Sequence, residues 1–594
     1  MEHFKVNRKD ILFILKDQLD YGSLCSLDRY KDLNEKALEM AVTEAIKFAE
    51  EVVDPLQAIG EEWGVKVENG KVSNPPEFRE AFKQYCQDGW VALSADATYG
   101  GQEFPFLIDM VVNDLMSGAC QSFIMCPGLT HGAAHLIETF GTEELKERFV
   151  ARMYSGEWAG TMALTEPDAG SDLARTQATA YPEGDHYKIK GNKIFISWGD
   201  HDLTDNIIHL TLARIEGAPA GTRGISLFVI PKVRVNPDGS LGEPNDVICE
   251  KSEEKLGIHA SPTSELSFGS HDGCIGYLCG EENRGLPHMF QMMNAARIGT
   301  GVSGMAMAST AYYNALAYTK ERIQGADITG SKEGSVTIIN HPDVRRMLLW
   351  MKAMVDGMRS MIYTLAMWLD LSVSSTEDET KARYFALVDF MTPIIKAYCS
   401  DMGFRVCETA MQCYGGYGYC KDYPIEQYLR DCKIMSIYEG TNGIQALDLM
   451  GRKMHINDGA PYKAFMEEIR AFCQENKDHP LLGKQIQALT NVVDKLAEMS
   501  AEMSKRVMED RPLWGASTYP ALMCFGDAIA CWRLLDMAVI AQKAIEEGKD
   551  TPFYQGKVKQ ATYFTGDTLP LAVARLETCV RDGREVVEMS EEAF

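Results

Sequence analysis

The chain predicts an α+β fold that is mainly α: an N-terminal helical domain, a middle antiparallel β-domain, a C-terminal four-helix bundle and an extra helical domain beyond it. Three observations predict this. The length of 594 residues exceeds what one core can organise and points to three or four units of about 150 residues. Helical periodicity dominates both ends of the chain. Between about Trp158 and Gly280 the pattern changes to short runs rich in β-branched residues, separated by turn clusters. The expected boundaries are 1–32 for an N-terminal extension, 33–157 for the first helical domain and 158–280 for the β-domain. Residues 281–457 form the bundle and 458–594 the appended helices.

In the first domain Leu38, Val42, Ala45, Ala49 and Val52 recur at three- and four-residue steps, as one buried helical face requires. The β-domain follows from HYKIKGNKIFISWG, NIIHLTLARI, GISLFVIPKVRV and TSELSFGS, divided by PEGD, EGAPAGTRG and NPDGS. The bundle is expected from long helical segments at 299–324, 342–371 and 380–414. The first is rich in Gly, Ala and Ser, which permits close helix packing. The final stretch reads as helical, with interruptions at Arg511-Pro512 and at 548–552.

Composition excludes several classes. The formal charge of −26 repels nucleic acid and anionic membranes, and no basic patch offsets it, so neither is an expected partner. No run of about 18 uncharged apolar residues is present, and the start lacks a signal-peptide pattern, so the expectation is a soluble, cytoplasmic protein. The sixteen cysteines show no C-x-x-C spacing and read as buried free thiols in a reducing compartment. His131 and His135 would share one helical face, but nothing nearby supplies a third ligand, so no metal site is expected.

Four segments carry chemistry. Met162-Ala-Leu-Thr-Glu-Pro-Asp-Ala-Gly-Ser-Asp172 is a loop in which Gly170 permits close approach and Thr165 and Ser171 offer hydroxyls and amides; alone it is as often a plain turn. Lys193-Ile-Phe-Ile-Ser-Trp-Gly199 places Phe195 where it can cover a planar ring and Ser197 where it can donate to one; alone it is simply a strand. Met411-Gln-Cys-Tyr-Gly-Gly-Tyr-Gly-Tyr419 ends a helix. Tyr428 to Gln445 contains Glu439 between Ile-Met-Ser-Ile-Tyr and Gly-Thr-Asn-Gly. A carboxylate held there is partly desolvated, which raises its proton affinity towards that of a useful base.

These four segments, in this order and spacing from about Leu33 to Met450, resemble the acyl-CoA dehydrogenase family. The leader, the phrase Gly-Asp-His-Asp-Leu-Thr-Asp-Asn, the Glu-Arg-Ile-Gln-Gly turn and the tail after Asn457 resemble the large bacterial subgroup that includes 3-methylmercaptopropionyl-CoA dehydrogenase. The resemblance implies an acyl-CoA dehydrogenase-like fold with FAD and an acyl-CoA bound between domains. It implies that Met162, Leu164, Thr165 and Gly170 line the flavin, with Ser171 near a pyrophosphate of the cofactor or the substrate. Ser197 takes the place of a common threonine, Phe195 that of the usual tryptophan, and Thr441 matches a flavin-contacting threonine. Gln412, Gly415 and Gly416 match the stretch that reaches FAD in a neighbouring subunit, which implies a homodimer or homotetramer. Arg322 resembles the arginine of an Arg-x-x-Phe-Gly motif, with one residue missing and the phenylalanine absent. Arg297, Tyr438 and Gly440, with Ser171, fall at the acyl-CoA site.

The implied reaction is dehydrogenation to a trans-2-enoyl-CoA, with Glu439 taking the α-proton and electrons passing to electron-transferring flavoprotein. Two other readings stay open at this point: an acyl-CoA oxidase that uses oxygen, and a DNA-associated flavoprotein of the same fold. The second would need a basic tail, whereas the segment after Pro461 is acidic. The appended domain carries no catalytic signature, and its expected roles are oligomer contacts or a lid over the CoA cleft.

Overall fold

The computed structural model describes residues 3–68, 70–549 and 551–594. The helical first domain contains α1 (Glu35–Phe48), α2 (Phe106–Ala119) and α3 (Gln121–Phe140). Asn34 caps α1 by accepting the N–H of Ala37, and Leu38, Val42, Ala45 and Ala49 are buried as the periodicity requires. The face does not continue to Val52. A π-turn over Ala49–Val53 inserts an extra residue and rotates the stripe, so that Val53 is buried and Val52 lies partly exposed.

The middle domain is an eight-stranded sheet built from β1 (Trp158–Ala163), β2 (Thr179–Glu183), β3 (His186–Ser197), β4 (Asn206–Ile215), β5 (Ile225–Pro231), β6 (Val247–Ser252), β7 (Thr263–Phe268) and β8 (Ile275–Leu278). Its order is β6-β7-β3-β8-β5-β4-β1, with β2 pairing both β3 and β4. The sheet expected to be antiparallel is mainly so, but it carries two parallel pairings. β1 runs parallel to β4 from Trp158↔Asn206 to Ala163↔Thr211, and β2 runs parallel to β4 at Thr179↔Arg214 and Ala180↔Ile215. A long excursion through β2 and β3 separates β1 from β4, so no tight turn forces them to reverse direction. Two apolar layers cover the sheet, one built with Phe149, Trp158 and Leu210 and the other with Ile189, Ile196 and Phe228.

The bundle is built on α4 (Gly285–Glu321), α5 (Pro342–Ser374) and α6 (Asp378–Tyr414), each longer than its expected segment, followed by the short α7 (Ile425–Lys433) and α8 (Asn442–Asp448). Helices α4 and α6 approach closely because glycines face each other. A Cβ on Gly304 would lie 2.8 Å from the carbonyl of Cys399, and one on Gly403 would lie 2.4 Å from the carbonyl of Gly304.

The appended domain comprises α9 (Ala460–Asn476), α10 (Gly483–Glu509), α11 (Arg511–Glu546), α12 (Pro552–Asp567) and α13 (Leu569–Val580), broken at the two expected places and also at 477–482 and at Thr568. It shares one core with the bundle and with the N-terminal extension, whose Ile11, Phe13, Ile14 and Leu15 are buried. A buried charge cluster joins all three. Asp10 receives Lys352 at 2.6 Å and Lys557 at 2.7 Å, and Asp356 receives the same two lysines at 2.8 Å each. No helix among the described residues is long and apolar enough to cross a membrane. Every cysteine is a free thiol, and all but Cys25, Cys86 and Cys420 are buried.

Candidate active site

The loop after β1 is held by a pair that sequence reading did not single out. Lys193, fully buried on β3, donates to Glu166 at 2.7 Å and to the carbonyl of Leu164 at 2.9 Å. Glu166 in turn accepts the N–H groups of Gln177 and Ala178. Two buried charges are tolerable because each is neutralised and its remaining lone pairs are used. Burial lowers the Lys193 ammonium to about 8, with Glu166 acting in the opposite direction. With Glu166 anchored, Pro167, Asp168, Gly170 and Ser171 are pushed to the surface, and Met162 and Thr165 remain half-exposed beside them.

The end of β3 lies next to this loop, since the N–H of Ile194 donates to the carbonyl of Thr165 at 2.9 Å. Phe195 is 59% exposed with φ at +60°, an unusual state for a large aromatic residue, which leaves its ring without a covering partner. The hydroxyls of Thr165, Ser171 and Ser197 make no hydrogen bond among the described residues. An open aromatic face with the unspent hydroxyls of Thr165 and Ser197 close by in the structure fits a planar, polar-edged ligand.

Glu439 sits in the turn between α7 and α8. Its φ of +57° costs about 1 kcal/mol for a residue with a side chain. The turn is fixed by Gln445, whose buried amide donates to the carbonyls of Glu439 at 3.3 Å and Gly440 at 3.1 Å. Thr441 caps α8 by accepting the N–H of Ile444. Glu439 is only partly exposed, and the protein packed around its carboxyl desolvates it and raises it to about 7. Arg297 and Lys396 oppose that rise. Arg297, on α4, is buried, lies 3.7 Å from Asp448 and leaves its Nε unpartnered. Lys396, on α6, is fully buried and donates to Asn442 at 2.9 Å; burial lowers it to about 8. Burial also raises the neighbouring Tyr438 phenol, so it stays protonated.

The sheet and the Glu439 turn are connected through α7. Asp431 accepts the N–H of Ile258 at 2.5 Å and Arg430 donates to the carbonyl of Leu256 at 2.9 Å, docking the loop that leads into β7. β7 pairs with β3 at Thr263↔Ser197.

Arg322, Gln412, Gly415 and Gly416 form a separate group. Arg322 ends α4 and its guanidinium lies 5.5 Å from the Tyr417 ring, while Tyr318 stacks on Tyr414 at 4.2 Å. Arg322 is 25 residues beyond Arg297 on one helix, about 37 Å at 1.5 Å per residue, so this group lies far from Glu439. Gln412, Gly415 and Gly416 are exposed and Arg322 is half-buried, with Tyr419 and Ile323 exposed next to them.

His131 contacts the carbonyl of Val91 at 2.8 Å and His135 faces Glu138 at 3.2 Å. Among the described residues no group of three or more His, Cys, Asp or Glu is arranged to hold a metal.

Sequence reading missed Glu166, Lys193, Lys396, Asn442 and Gln445. A signal existed for Lys396, because a lysine inside Thr-Pro-Ile-Ile-Lys-Ala-Tyr-Cys stands in an otherwise apolar run.

Models for the N-terminal, middle and C-terminal domains of acyl-CoA dehydrogenase match residues 35–157, 161–270 and 283–455. A model described as acetyl-CoA dehydrogenase C-terminal like matches 465–590. The chain is 37% identical to 3-methylmercaptopropionyl-CoA dehydrogenase of Ruegeria pomeroyi, over 94% of this chain and 95% of that one. It is 36% identical to a butyryl-CoA dehydrogenase of Syntrophomonas wolfei, over 100% and 99%. The fold matches that of Caenorhabditis elegans ACDH-11, solved in complex with C11-CoA, with a TM-score of 0.79 at 21% identity over 98% of this chain and 95% of that chain.

Proposed function

Because the chain belongs to the acyl-CoA dehydrogenase family, we propose that it oxidises the Cα–Cβ bond of an acyl-CoA thioester to a trans-2-enoyl-CoA, with Glu439 as the base and FAD as cofactor. The observation that carries this reading is the Glu439 carboxyl, raised to about 7 by desolvation and fixed in a left-handed turn. A base with that proton affinity is half ionised at neutral pH and still accepts a proton strongly.

The α-hydrogen of a thioester is a very weak acid, so the carbonyl oxygen needs donors that favour the enolate. The backbone N–H of Glu439 donates to no acceptor among the described residues and is free to take that role. The same residue then both removes the proton and steadies the charge left behind. Thr165 and Ser197 would offer hydroxyls to a bound flavin and Phe195 would cover it, while the anchorage of the loop by Glu166 and Lys193 keeps Gly170 and Ser171 in register. When bound, FAD supplies the acceptor for the hydride that leaves the β-carbon.

Gln412, Gly415 and Gly416 are exposed, Arg322 is half-buried, and all four are far from Glu439, which supports their reaching the cofactor of a neighbouring subunit in a homodimer or homotetramer. Electron-transferring flavoprotein is the proposed electron acceptor. The acyl group is proposed to be short and linear, since the two relatives at 36–37% identity are named for 3-methylmercaptopropionyl-CoA and butyryl-CoA.

The test is Glu439→Gln. The variant should remain yellow with bound FAD and lose turnover by at least about a thousandfold on a panel of acyl-CoA esters with a dye acceptor. Retention of full activity removes Glu439 from the reaction.

A further inference from the structure

A fully buried lysine with no carboxylate partner is rare, because an isolated ammonium in a protein interior carries a large desolvation cost. Lys396 is such a residue. It forms no salt bridge among the described residues, and its ammonium donates to one side chain, Asn442 Oδ1, at 2.9 Å. The contact is firmly built. Asn442 is itself buried and donates to the carbonyl of Ala397 at 3.2 Å and to Ser400 Oγ at 3.0 Å, so it is clamped to the same turn of α6. Asn442 is also the first residue of α8, three positions after Glu439. The lysine therefore reaches from one helix to the root of the turn that presents the carboxylate.

We propose that Lys396 is a positioning residue for the reaction: its buried positive charge beneath the Glu439 turn keeps that carboxylate ionised when substrate displaces water, and its bond to Asn442 fixes where the carboxylate stands. The inference rests on Glu439 being the base.

Two charged groups act on Glu439, Lys396 on α6 and Arg297 on α4. Arg297 is shared with Asp448 on α8 at 3.7 Å and is influenced by Arg452 and Asp389. Tyr438, the adjacent residue, stays neutral. Lys396 has no such competing close partner; Glu439 is the first acidic group that acts on it and Asp401 the second. Burial brings the base up to about 7 and the lysine down to about 8, so the cation and the carboxylate are both present near neutral pH. Removal of the cation leaves desolvation less opposed, and the base should then hold its proton to higher pH.

The experiment is the pH profile of kcat/KM for the FAD-loaded enzyme in four variants. Lys396→Gln removes the charge but keeps a donor for Asn442, and Lys396→Met removes both. Asn442→Asp neutralises the cation in place without emptying the site. Lys396→Arg restores a charge. The acid limb should move up by about one pH unit in Lys396→Gln, Lys396→Met and Asn442→Asp, and return towards the wild-type position in Lys396→Arg. A purely structural lysine would change KM, kcat or thermal stability and leave the limb in place. An unmoved limb in whichever charge-removing or charge-neutralising variants retain FAD overturns the proposal. If none of them retains FAD, the role is architectural and the proposal is likewise overturned. Glu439→Gln, measured in parallel, separates the two readings: an active Glu439→Gln removes the base assignment, whereas an inactive one with an unmoved limb in the Lys396 variants removes only Lys396.

Discussion

Gln445 holds both carbonyls of the Glu439–Gly440 pair with one amide nitrogen, at 3.3 and 3.1 Å. A turn with two successive positive φ values, +57° and +81°, is thereby closed onto the first turn of α8. The backbone that carries the carboxyl is set before any ligand arrives.

Gly440→Ala tests that closure. The new Cβ would lie 2.7 Å from Gln445 Nε2 in a backbone state that side chains disfavour, so the amide must move and the turn must open. The expected cost is about 1–2 kcal/mol of stability and at least a tenfold fall in kcat with FAD retained. Urea unfolding and steady-state kinetics measure the two. A wild-type kcat would show that the turn tolerates the shift.

Burial of Glu439 also makes stability depend on pH. Its folded value of about 7 lies above its ordinary 4.5, so the native state binds the proton more tightly than the unfolded chain. The residue therefore costs stability increasingly as pH rises from about 4.5 through 7, by up to roughly 3 kcal/mol. Glu439→Gln carries no charge to bury. It should be more stable than wild type at pH 8 and indistinguishable from it at pH 4.5, by chemical denaturation. Equal stability at both pH values would contradict a desolvated carboxyl.

The loop after β1 gives a second stability test. Glu166→Gln leaves Lys193 buried with a neutral partner, which should cost about 3 kcal/mol, and Lys193→Met leaves the carboxylate stranded at a similar cost. The double variant strands neither charge and should recover much of the loss. Its FAD affinity should nevertheless stay low, because nothing then anchors the loop carrying Gly170 and Ser171. Additive losses in a double-mutant cycle would show that the two residues act independently.

Local pattern was enough to mark β3 and β4, since the runs His186–Ser197 and Asn206–Ile215 coincide with the strands. For Glu439 the apolar run before it was read as desolvating, and burial does raise the carboxyl. It failed where the determinant lies elsewhere in the chain. Alternation along Trp158–Ala163 says nothing of its parallel partner 48 residues on, and the π-turn at Ala49–Val53 breaks the 3.6-residue count that pointed to Val52. Lys193 and Glu166 are 27 residues apart, and Lys396 meets Asn442 across 46, so no spacing rule links either pair.

The charge cluster under the N-terminal extension yields the last prediction. Lys352 and Lys557 hold the Asp10 carboxyl well below the usual carboxylate range despite its burial. A carboxylate depressed in this way contributes stability that is present above its unfolded value, about 4, and is lost as pH falls below it. Asp10→Asn removes one of two anions facing two buried ammonium groups, so the remaining Asp356 must serve both. The expected loss is about 3–5 kcal/mol at pH 7, shrinking as pH falls below about 4. Because Asp10, Asp356 and Lys557 belong to the extension, the bundle and the appended domain, the loss should also loosen α12. Amide exchange along Pro552–Asp567 should accelerate together with that of Arg8–Leu12. Faster exchange in the extension alone would mean that the cluster does not couple the two ends of the chain.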